Sequence, residues 1–410
     1  MKVNNVERWL RLAFGLLVLL FAGIIYAWSI LNAPFAKPLA EGGEFGWNSA
    51  QLGLNYTLTI VFFCLGGFAA GLLTKKTSAR TRILTSAVLL FAGFFVTSRL
   101  PAGSGVLPLY LSYGVASGVG VGFTYTTIIG LTTAWFPDKK GLASGTLLMG
   151  FGLTSLIIGN IADIMIKAES IGWRTTYLII AIAIGVILAV AAFIIKPPPA
   201  GTIFPEAKSG KKAVAAPAPA KDYTALEMIR RPSFWLLFIF ITLLASVGSA
   251  AISFAKQILG SVGAAAPAVI VGIISVFNGL GRLVSGVLFD NLGIRKTQYV
   301  MSGIAILAPV TIVLATNMNS LAVGIIGLAL CYFSYGFAPT TASVFASNFY
   351  GPKNFSLNFS IVNLILIPAP FAATLAGNLY KSSGSFTSTF MILIACSVAG
   401  LLVNLGIKKA

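Results

Sequence analysis

The chain has 410 residues, of which 57% are hydrophobic and only 9% are charged, and its mean hydropathy is +0.92. This composition excludes an ordinary water-soluble globular protein and indicates a polytopic membrane protein. The formal net charge is +18, which in a soluble protein would suggest nucleic-acid binding. The placement of the basic residues argues against that class, as the predicted spans make clear.

Apolar stretches long enough to cross a bilayer recur along the whole chain. About 17–25 apolar residues suffice for a transmembrane helix, and twelve such stretches are predicted. In chain order they cover residues 9–31, 51–73, 83–98, 106–134, 141–165, 174–195, 233–255, 266–289, 297–316, 320–345, 355–379 and 386–407. The predicted fold class is therefore an all-α membrane protein with twelve transmembrane helices.

The basic residues lie mainly on one side of these spans. With the N-terminus inside, 21 of the 28 Lys and Arg residues are cytoplasmic, six are on the outer side, and Arg282 lies within a span. This is the positive-inside pattern. It predicts an integral plasma-membrane protein, of the bacterial inner membrane, with both termini cytoplasmic. The basic surplus is expected to attract anionic membrane lipid and not nucleic acid.

A hydrophilic segment divides the chain into halves with six spans each. Residues 196–232 are rich in lysine, alanine and proline, a composition typical of a flexible linker. The predicted organisation is an N-terminal six-helix bundle at 1–195, a cytoplasmic linker at 196–232 and a C-terminal six-helix bundle at 233–410.

Two pairs of loops indicate that the halves are duplicates. The run at 71–76 resembles that at 286–291, 215 residues later, and the run at 135–140 resembles that at 349–354, 214 residues later. Chance similarity between turn-rich loops is the alternative. The nearly constant offset favours a repeated unit, and such repeats usually bring the substrate site to the midplane between the halves.

Arg282 is the only charged residue deep inside a predicted span. A charge at that depth is unfavourable by ~2.5–3.5 kcal/mol and indicates function by default. Arg282 precedes Asp290 by eight residues, which places it about 12 Å inside the cytoplasmic boundary. No acidic residue lies at comparable depth, so a carried carboxylate, bound by two parallel N–H donors, is the predicted substrate group. An arginine that extends to the interface or binds backbone carbonyls is the alternative.

The loop after the eighth span carries a recognisable signature. Its members Gly286, Asp290, Gly293, Arg295 and Lys296 are spaced as Gly-x3-Asp-x2-Gly-x-Arg-Lys. This resembles the signature loop of the major facilitator superfamily, which holds the cytoplasmic ends of neighbouring helices together. The first-half copy departs from the signature, with Lys75 at the acidic position and Ser78 in place of glycine.

Within that superfamily the chain resembles the monocarboxylate transporters, including bacterial lactate/proton symporters, and the oxalate/formate antiporter. The runs that carry the resemblance lie at residues 23–29, 135–145 and 277–282. The resemblance spans nearly the whole chain. It implies two pseudo-symmetric six-helix bundles and secondary active transport of a small monocarboxylate such as lactate or pyruvate, with proton symport and no cofactor.

Other polar and aromatic residues are candidates for substrate binding. Asn278 lies one helical turn from Arg282 and on the same face, where it is expected to hold the guanidinium, donate to the substrate or serve helix packing. The resemblance adds Tyr26, Tyr125, Phe151 and Phe359. The repeat adds Tyr335, the counterpart of Tyr125 in the second half, and Tyr332 lies one turn from Tyr335. Core packing is the alternative for each.

Residue types that the sequence lacks bear on the driving ion and on the alternative functions. The chain has no histidine, and the nearest acidic candidate for proton coupling is Asp163, toward the outer end of the fifth span. Proton symport and anion exchange therefore both stay open. A membrane enzyme or a metal site would need buried acids, histidines or spaced cysteines, which argues against both. A transporter of a neutral solute or drug would have no need of Arg282. A monomer is predicted, and no metal is expected.

Overall fold

The computed structural model describes residues 4–199, 201–205, 221–369, 371–372, 379 and 386–407. Within these residues ten helices are long and apolar enough to cross a membrane, and one further apolar helix is shorter. In chain order they are α1 (Asn5–Ala36), α2 (Gln51–Leu73), α3 (Ala79–Ser98), α4 (Leu107–Thr133), α5 (Lys140–Lys167), α6 (Gly172–Ile194), α7 (Pro232–Ser261), α8 (Val269–Met318), α9 (Leu321–Tyr350), the shorter α10 (Phe355–Leu366) and α11 (Thr387–Gly406).

These helices confirm the predicted all-α membrane fold. Helix α8 covers nearly all of two predicted spans, 266–289 and 297–316. The backbone breaks between them at Gly293, where φ is 75°. Glycine adopts this left-handed conformation without a steric penalty. Helix α10 begins the span predicted at 355–379, of which residues 370 and 373–378 lie outside the described part of the chain.

The helices form two compact units. The first unit comprises Met1–Phe136 and Gly150–Phe204, and the second comprises Pro137–Met149 and Pro205–Ala410. The predicted bundle boundaries at 195 and 233 remain a prediction, and residues 200 and 206–220 of the predicted linker lie outside the described residues.

Small residues bring α2 and α4 together in the first unit. The position where Gly122 would carry a Cβ atom lies against the carbonyl oxygen of Phe63, and that of Gly66 lies against Val119. Any larger side chain at either glycine would push the two backbones apart. This close approach is how glycine supports helix packing in membranes, where apolar burial gives little net attraction between helices.

One end of the first unit is closed by a cluster of aromatic rings, here called the aromatic end cluster. Phe35 is fully buried at its centre. Its ring lies 5.2–6.3 Å from those of Trp28, Phe45, Trp47, Trp173 and Tyr177. Glu44 ties the cluster to α6, because its carboxylate accepts hydrogen bonds from Trp173 Nε1 at 3.1 Å and from Arg174 at 2.6 Å.

The second unit has an apolar core shared by α7, α8, α9 and α11. Helices α8 and α9 approach closely at two glycines. A Cβ atom on Gly281 would strike the carbonyl oxygen of Phe333, and one on Gly336 would strike that of Asn278. These contacts fix the turn of α8 that carries Arg282 against α9.

Candidate functional site

Arg282 is buried, with 1% of its surface exposed. Its Nε donates to Asn278 Oδ1 at 3.3 Å, and its NH1 donates to the carbonyl oxygen of Leu148 at 3.0 Å. Both acceptors belong to the second unit, one on the same face of α8 and the other on α5. The Asn278 amide and the Leu148 carbonyl therefore both contribute to the orientation of the guanidinium.

The backbone around Arg282 is also held in place. Its carbonyl oxygen accepts hydrogen bonds from Thr340 Oγ1 of α9 at 3.1 Å and from Ser285 Oγ at 3.0 Å. A Cβ atom on Gly145 of α5 would collide with that same carbonyl. Glycine at this position therefore allows α5 to reach the helix that carries the arginine.

The signature loop connects α8 to the start of α5. The two carboxylate oxygens of Asp290 accept hydrogen bonds from the backbone N–H groups of Gly141 at 2.9 Å and Leu142 at 2.7 Å. The first N–H groups of a helix have no acceptor within the helix, and a negative charge there is favoured by the helix dipole. Gly286 and Gly141 approach so closely that neither tolerates a Cβ atom.

The other members of the signature have simpler places. Gly293 makes the break in α8 described above, and Arg295 is exposed. In the first-half copy, Ser78 caps α3 by accepting a hydrogen bond from the Thr81 N–H at 3.0 Å. Arg82 was not among the residues predicted from the sequence to be functional. It donates hydrogen bonds to three carbonyl oxygens at the end of α2 and in the loop that follows.

Three of the predicted aromatic residues meet in the first unit. The ring of Phe151 lies 5.3 Å from that of Tyr26 and 5.0 Å from that of Tyr125. Phe63 joins them, 5.2 Å from Tyr125 and 6.0 Å from Phe151. Sequence reasoning missed Phe63, because a phenylalanine in an apolar span looks like any other core residue.

The remaining aromatic candidates are dispersed in the second unit. Tyr332 is packed in the apolar core, with 4% of its surface exposed. Tyr335 packs against α7 at Gly248. Phe359 is fully buried, and its ring stacks on that of Phe355 at 5.4 Å. Tyr335 directly precedes Gly336, so it lies on the turn of α9 that contacts the Asn278 backbone.

Asp163 lies on the surface of α5. Its carboxylate accepts a hydrogen bond from Lys167 Nζ at 2.6 Å, and both side chains are substantially exposed. An exposed ion pair one helical turn apart is a common surface feature with a small energetic effect.

The family of the chain is decided by its match to a known sequence family. The model of the Major Facilitator Superfamily matches residues 17–370. The chain belongs to the major facilitator superfamily. This transporter family confirms the resemblance noted in the sequence and indicates an integral membrane transporter and not an enzyme.

Individual relatives cover most of the transporter. It is 27% identical over 361 residues to the uncharacterized MFS-type transporter YhjX of Escherichia coli (strain K12), covering 87% of this chain and 84% of the relative. It is 27% identical over 360 residues to the oxalate:formate antiporter of Oxalobacter formigenes, covering 85% and 80%. It is 23% identical over 356 residues to mouse monocarboxylate transporter 11, covering 80% and 71%.

A solved structure has the same fold. The crystal structure of the transporter FucP in its outward conformation matches with a TM-score of 0.72 and 15% identity, over 98% of this chain and 100% of that one. At this level of identity the likeness concerns the fold alone. It confirms the major facilitator architecture.

Proposed function

We propose that the transporter carries small monocarboxylates such as lactate or pyruvate by alternating access, with Arg282 binding the carboxylate. The observation that carries this proposal is the full burial of the Arg282 guanidinium in an apolar helix of a major facilitator fold. A buried arginine in a membrane span is costly and is usually kept for binding or coupling. Its planar N–H groups match a carboxylate better than an ammonium group does.

Arg282 donates to one backbone carbonyl, which is the contact that the alternative interpretation of this residue expects, and we propose that a substrate carboxylate takes the place of that carbonyl. Asn278 Oδ1 orients the guanidinium through Nε, and the Leu148 carbonyl is a neutral acceptor for NH1. The bond to the Leu148 carbonyl has only one ionised partner, whereas a carboxylate would add an opposite charge and a second oxygen that can accept from the parallel N–H groups. An arriving carboxylate would therefore replace the Leu148 carbonyl favourably, and the arginine would change its acceptor when substrate binds.

The relatives support a small organic anion. One is named an oxalate:formate antiporter and another a monocarboxylate transporter. The sequence resemblance to the oxalate/formate antiporter implies a second cation, a lysine, in the eleventh span. At the equivalent position this chain has Val362, which is apolar and fully buried. A single cation suits a single carboxylate. We therefore expect lactate to be transported well and oxalate poorly.

This expectation is tested in proteoliposomes. Purified transporter should take up labelled lactate, and labelled oxalate should be exchanged at no more than about one-tenth of that rate, since an unpaired second carboxylate costs at least one charge-assisted contact of ~1.5–3 kcal/mol. Empty liposomes serve as the control. Oxalate self-exchange as fast as lactate uptake would contradict the single-carboxylate proposal.

Proton symport is proposed as the driving mechanism, and exchange of organic anions of the oxalate/formate type is the second candidate. The second candidate is supported by the 27% identity to the antiporter over 85% of this chain. The Asp163 carboxylate is exposed and paired with Lys167 on the helix surface, a position that does not suit a proton-coupling group. Protonation of the substrate carboxylate itself is therefore the simpler route. Uptake into vesicles that contain no internal anion, driven by an inward proton gradient, would support symport, and a strict need for an internal anion would support exchange.

Phe63 is proposed to contact the substrate as part of the aromatic group of the first unit, with Tyr26, Tyr125 and Phe151. The change Phe63→Leu keeps an apolar side chain but removes ring contacts with Tyr125 and Phe151 that are worth ~0.5–1.5 kcal/mol. We expect the KM for lactate to rise about two- to tenfold.

The matched control for Phe63 is Phe91→Leu. Phe91 stacks on Phe95 with centroids 5.6 Å apart and is 38% exposed, so this change also removes a ring contact but on an outer surface. Its KM should equal that of the wild type. Equal KM values for the Phe63 variant and the wild type would remove Phe63 from the proposed site.

The location, orientation and assembly state are also proposals. The excess of Lys and Arg on one side of the spans supports cytoplasmic termini and a bacterial inner membrane. We propose that the monomer is the working unit, because this one chain contains both helical units.

A further inference from the structure

An open surface cavity of about 360 Å³ lies where the linker ends and α7 begins. Its lining residues are Lys221, Tyr223, Glu227, Arg230, Arg231 and Pro232. Three of these six side chains are basic and one is acidic. The cavity lies outside the predicted substrate-binding residues, and neither the transport proposal nor the signature loop uses it.

The single acid in the cavity is already engaged. Glu227 accepts hydrogen bonds from Lys221 Nζ at 2.8 Å and from the Thr224 N–H at 2.8 Å. The hydrogen bond from Lys221, and then those from Thr224, lower the pKa of Glu227 to about 2. Glu227 therefore stays ionised and offsets Lys221, which leaves the charges of the two arginines in surplus.

The two arginines line the cavity, and its one acid, Glu227, is paired with Lys221 and with neither arginine. Neither Arg230 nor Arg231 forms a salt bridge with any residue that the structure describes. Arg231 lies over the ring of Tyr223, with its guanidinium carbon 4.7 Å from the ring centroid. This contact holds the guanidinium in place while its N–H groups keep their capacity to donate to an anion.

The cavity wall is fixed to the rest of the second unit. Tyr223 is 6% exposed, and its N–H donates to the Tyr350 carbonyl at 2.9 Å. Its own carbonyl accepts hydrogen bonds from Asn354 Nδ2 at 2.8 Å and Asn358 Nδ2 at 3.0 Å. Asp222 is turned away, accepting a hydrogen bond from the Lys353 N–H at 3.1 Å. A preformed wall lowers the entropy lost when a ligand binds.

Apolar side chains stand exposed next to the basic cavity. Leu226 is 59% exposed and Trp235 is 51% exposed, and Trp235 Nε1 is anchored to the Ile229 carbonyl at 2.9 Å. An exposed tryptophan at the end of an apolar span is typical of the membrane interface. An anion that brings acyl chains would satisfy both the arginines and these apolar side chains, whereas a free phosphate ion would satisfy only the arginines.

We propose that this cavity is a binding site for the phosphate headgroup of an anionic phospholipid, held by Arg230 and Arg231 with its acyl chains along Leu226 and Trp235. Basic residues near a membrane surface each strengthen the binding of anionic lipid roughly fivefold. Two arginines on a fixed wall make the site selective for an anionic headgroup over a zwitterionic one.

The test is native mass spectrometry of the purified full chain, titrated with phosphatidylglycerol or with phosphatidylcholine of the same acyl chains. The wild type should bind phosphatidylglycerol more tightly. The double change Arg230→Gln with Arg231→Gln should weaken phosphatidylglycerol binding by on the order of tenfold or more and leave phosphatidylcholine binding unchanged. The variant Arg230→Lys keeps the charge and should retain most of the affinity.

Controls separate this site from a general charge effect. Lys76→Gln removes one exposed positive charge from a loop outside the cavity and should weaken phosphatidylglycerol binding much less than the single change Arg230→Gln does. Melting temperatures equal to that of the wild type show that each variant is folded. If the double variant is unstable, the single variant Arg230→Gln replaces it, because it keeps the contact between Arg231 and Tyr223. Equal phosphatidylglycerol affinity in the wild type and the arginine variants would overturn the proposal. Displacement of the lipid by millimolar inorganic phosphate would also overturn it and indicate a free-phosphate site.

Discussion

Replacing Arg282 with lysine is expected to lower kcat/KM for lactate uptake about 10- to 100-fold. Lysine keeps the positive charge but cannot reproduce the planar pair of donors, and the loss of a charge-assisted hydrogen bond costs ~1.5–3 kcal/mol. The lysine also cannot hold Asn278 and a carboxylate in the same geometry as the guanidinium. Initial rates of lactate uptake into proteoliposomes, measured over a range of concentrations, give the comparison.

The matched control for this change is Arg99→Lys. Arg99 is exposed, with its guanidinium over the ring of Phe95, so the same chemical change occurs away from the proposed site. Its uptake should equal that of the wild type. If Arg282→Lys transports lactate normally while remaining folded, Arg282 does not bind the carboxylate, and its burial must be explained by helix packing.

Replacing Gly286 with alanine is expected to destabilise the second unit by about 1–3 kcal/mol. The added methyl group would overlap the carbonyl oxygen of Gly141, which is main chain and cannot rotate away. Separation of the two helices would also lengthen the hydrogen bonds from Gly141 and Leu142 to Asp290. We expect a lower melting temperature in detergent and slower lactate uptake.

Gly303→Ala is the matched control within the same helix. A Cβ atom on Gly303 would meet nothing within 4 Å, and alanine is favoured over glycine in a helix by about 1 kcal/mol. This variant should be at least as stable as the wild type. If Gly286→Ala melts at the same temperature as Gly303→Ala, the close approach of α8 to α5 is not needed for stability.

Much of the fold could be predicted from the sequence, because hydropathy reports span length directly. The break at Gly293 illustrates this success, since two spans were predicted on either side of it and the backbone turns there. Local departures from regular helix left no such signal. The 3₁₀ segment Gly23–Ala27 in α1 and the π-helical segment Tyr110–Ser117 in α4 lie inside predicted spans, and hydropathy does not distinguish them from regular α-helix.

The candidate site was less accessible to sequence reasoning. Arg282 was conspicuous because charge is rare inside an apolar span, and Asn278 followed from its spacing. The main-chain contacts of the site were not predictable: the Leu148 carbonyl that accepts from Arg282, and the N–H groups that donate to Asp290. Every residue has a main-chain donor or acceptor, and these contacts join segments about 134 to 149 residues apart. Phe63 was missed for a related reason, since its role depends on which rings surround it.

The aromatic end cluster has a practical consequence for spectroscopy. Three of the six tryptophans in the chain, Trp28, Trp47 and Trp173, surround the single ring of Phe35. Ultraviolet emission from the protein is therefore weighted toward one end of the first unit, where the fluorophores are close enough to exchange excitation energy. Trp235 of the second unit lies at the first turn of α7, far along the chain from Arg282, so a probe of events beside Arg282 needs a fluorophore introduced next to that residue.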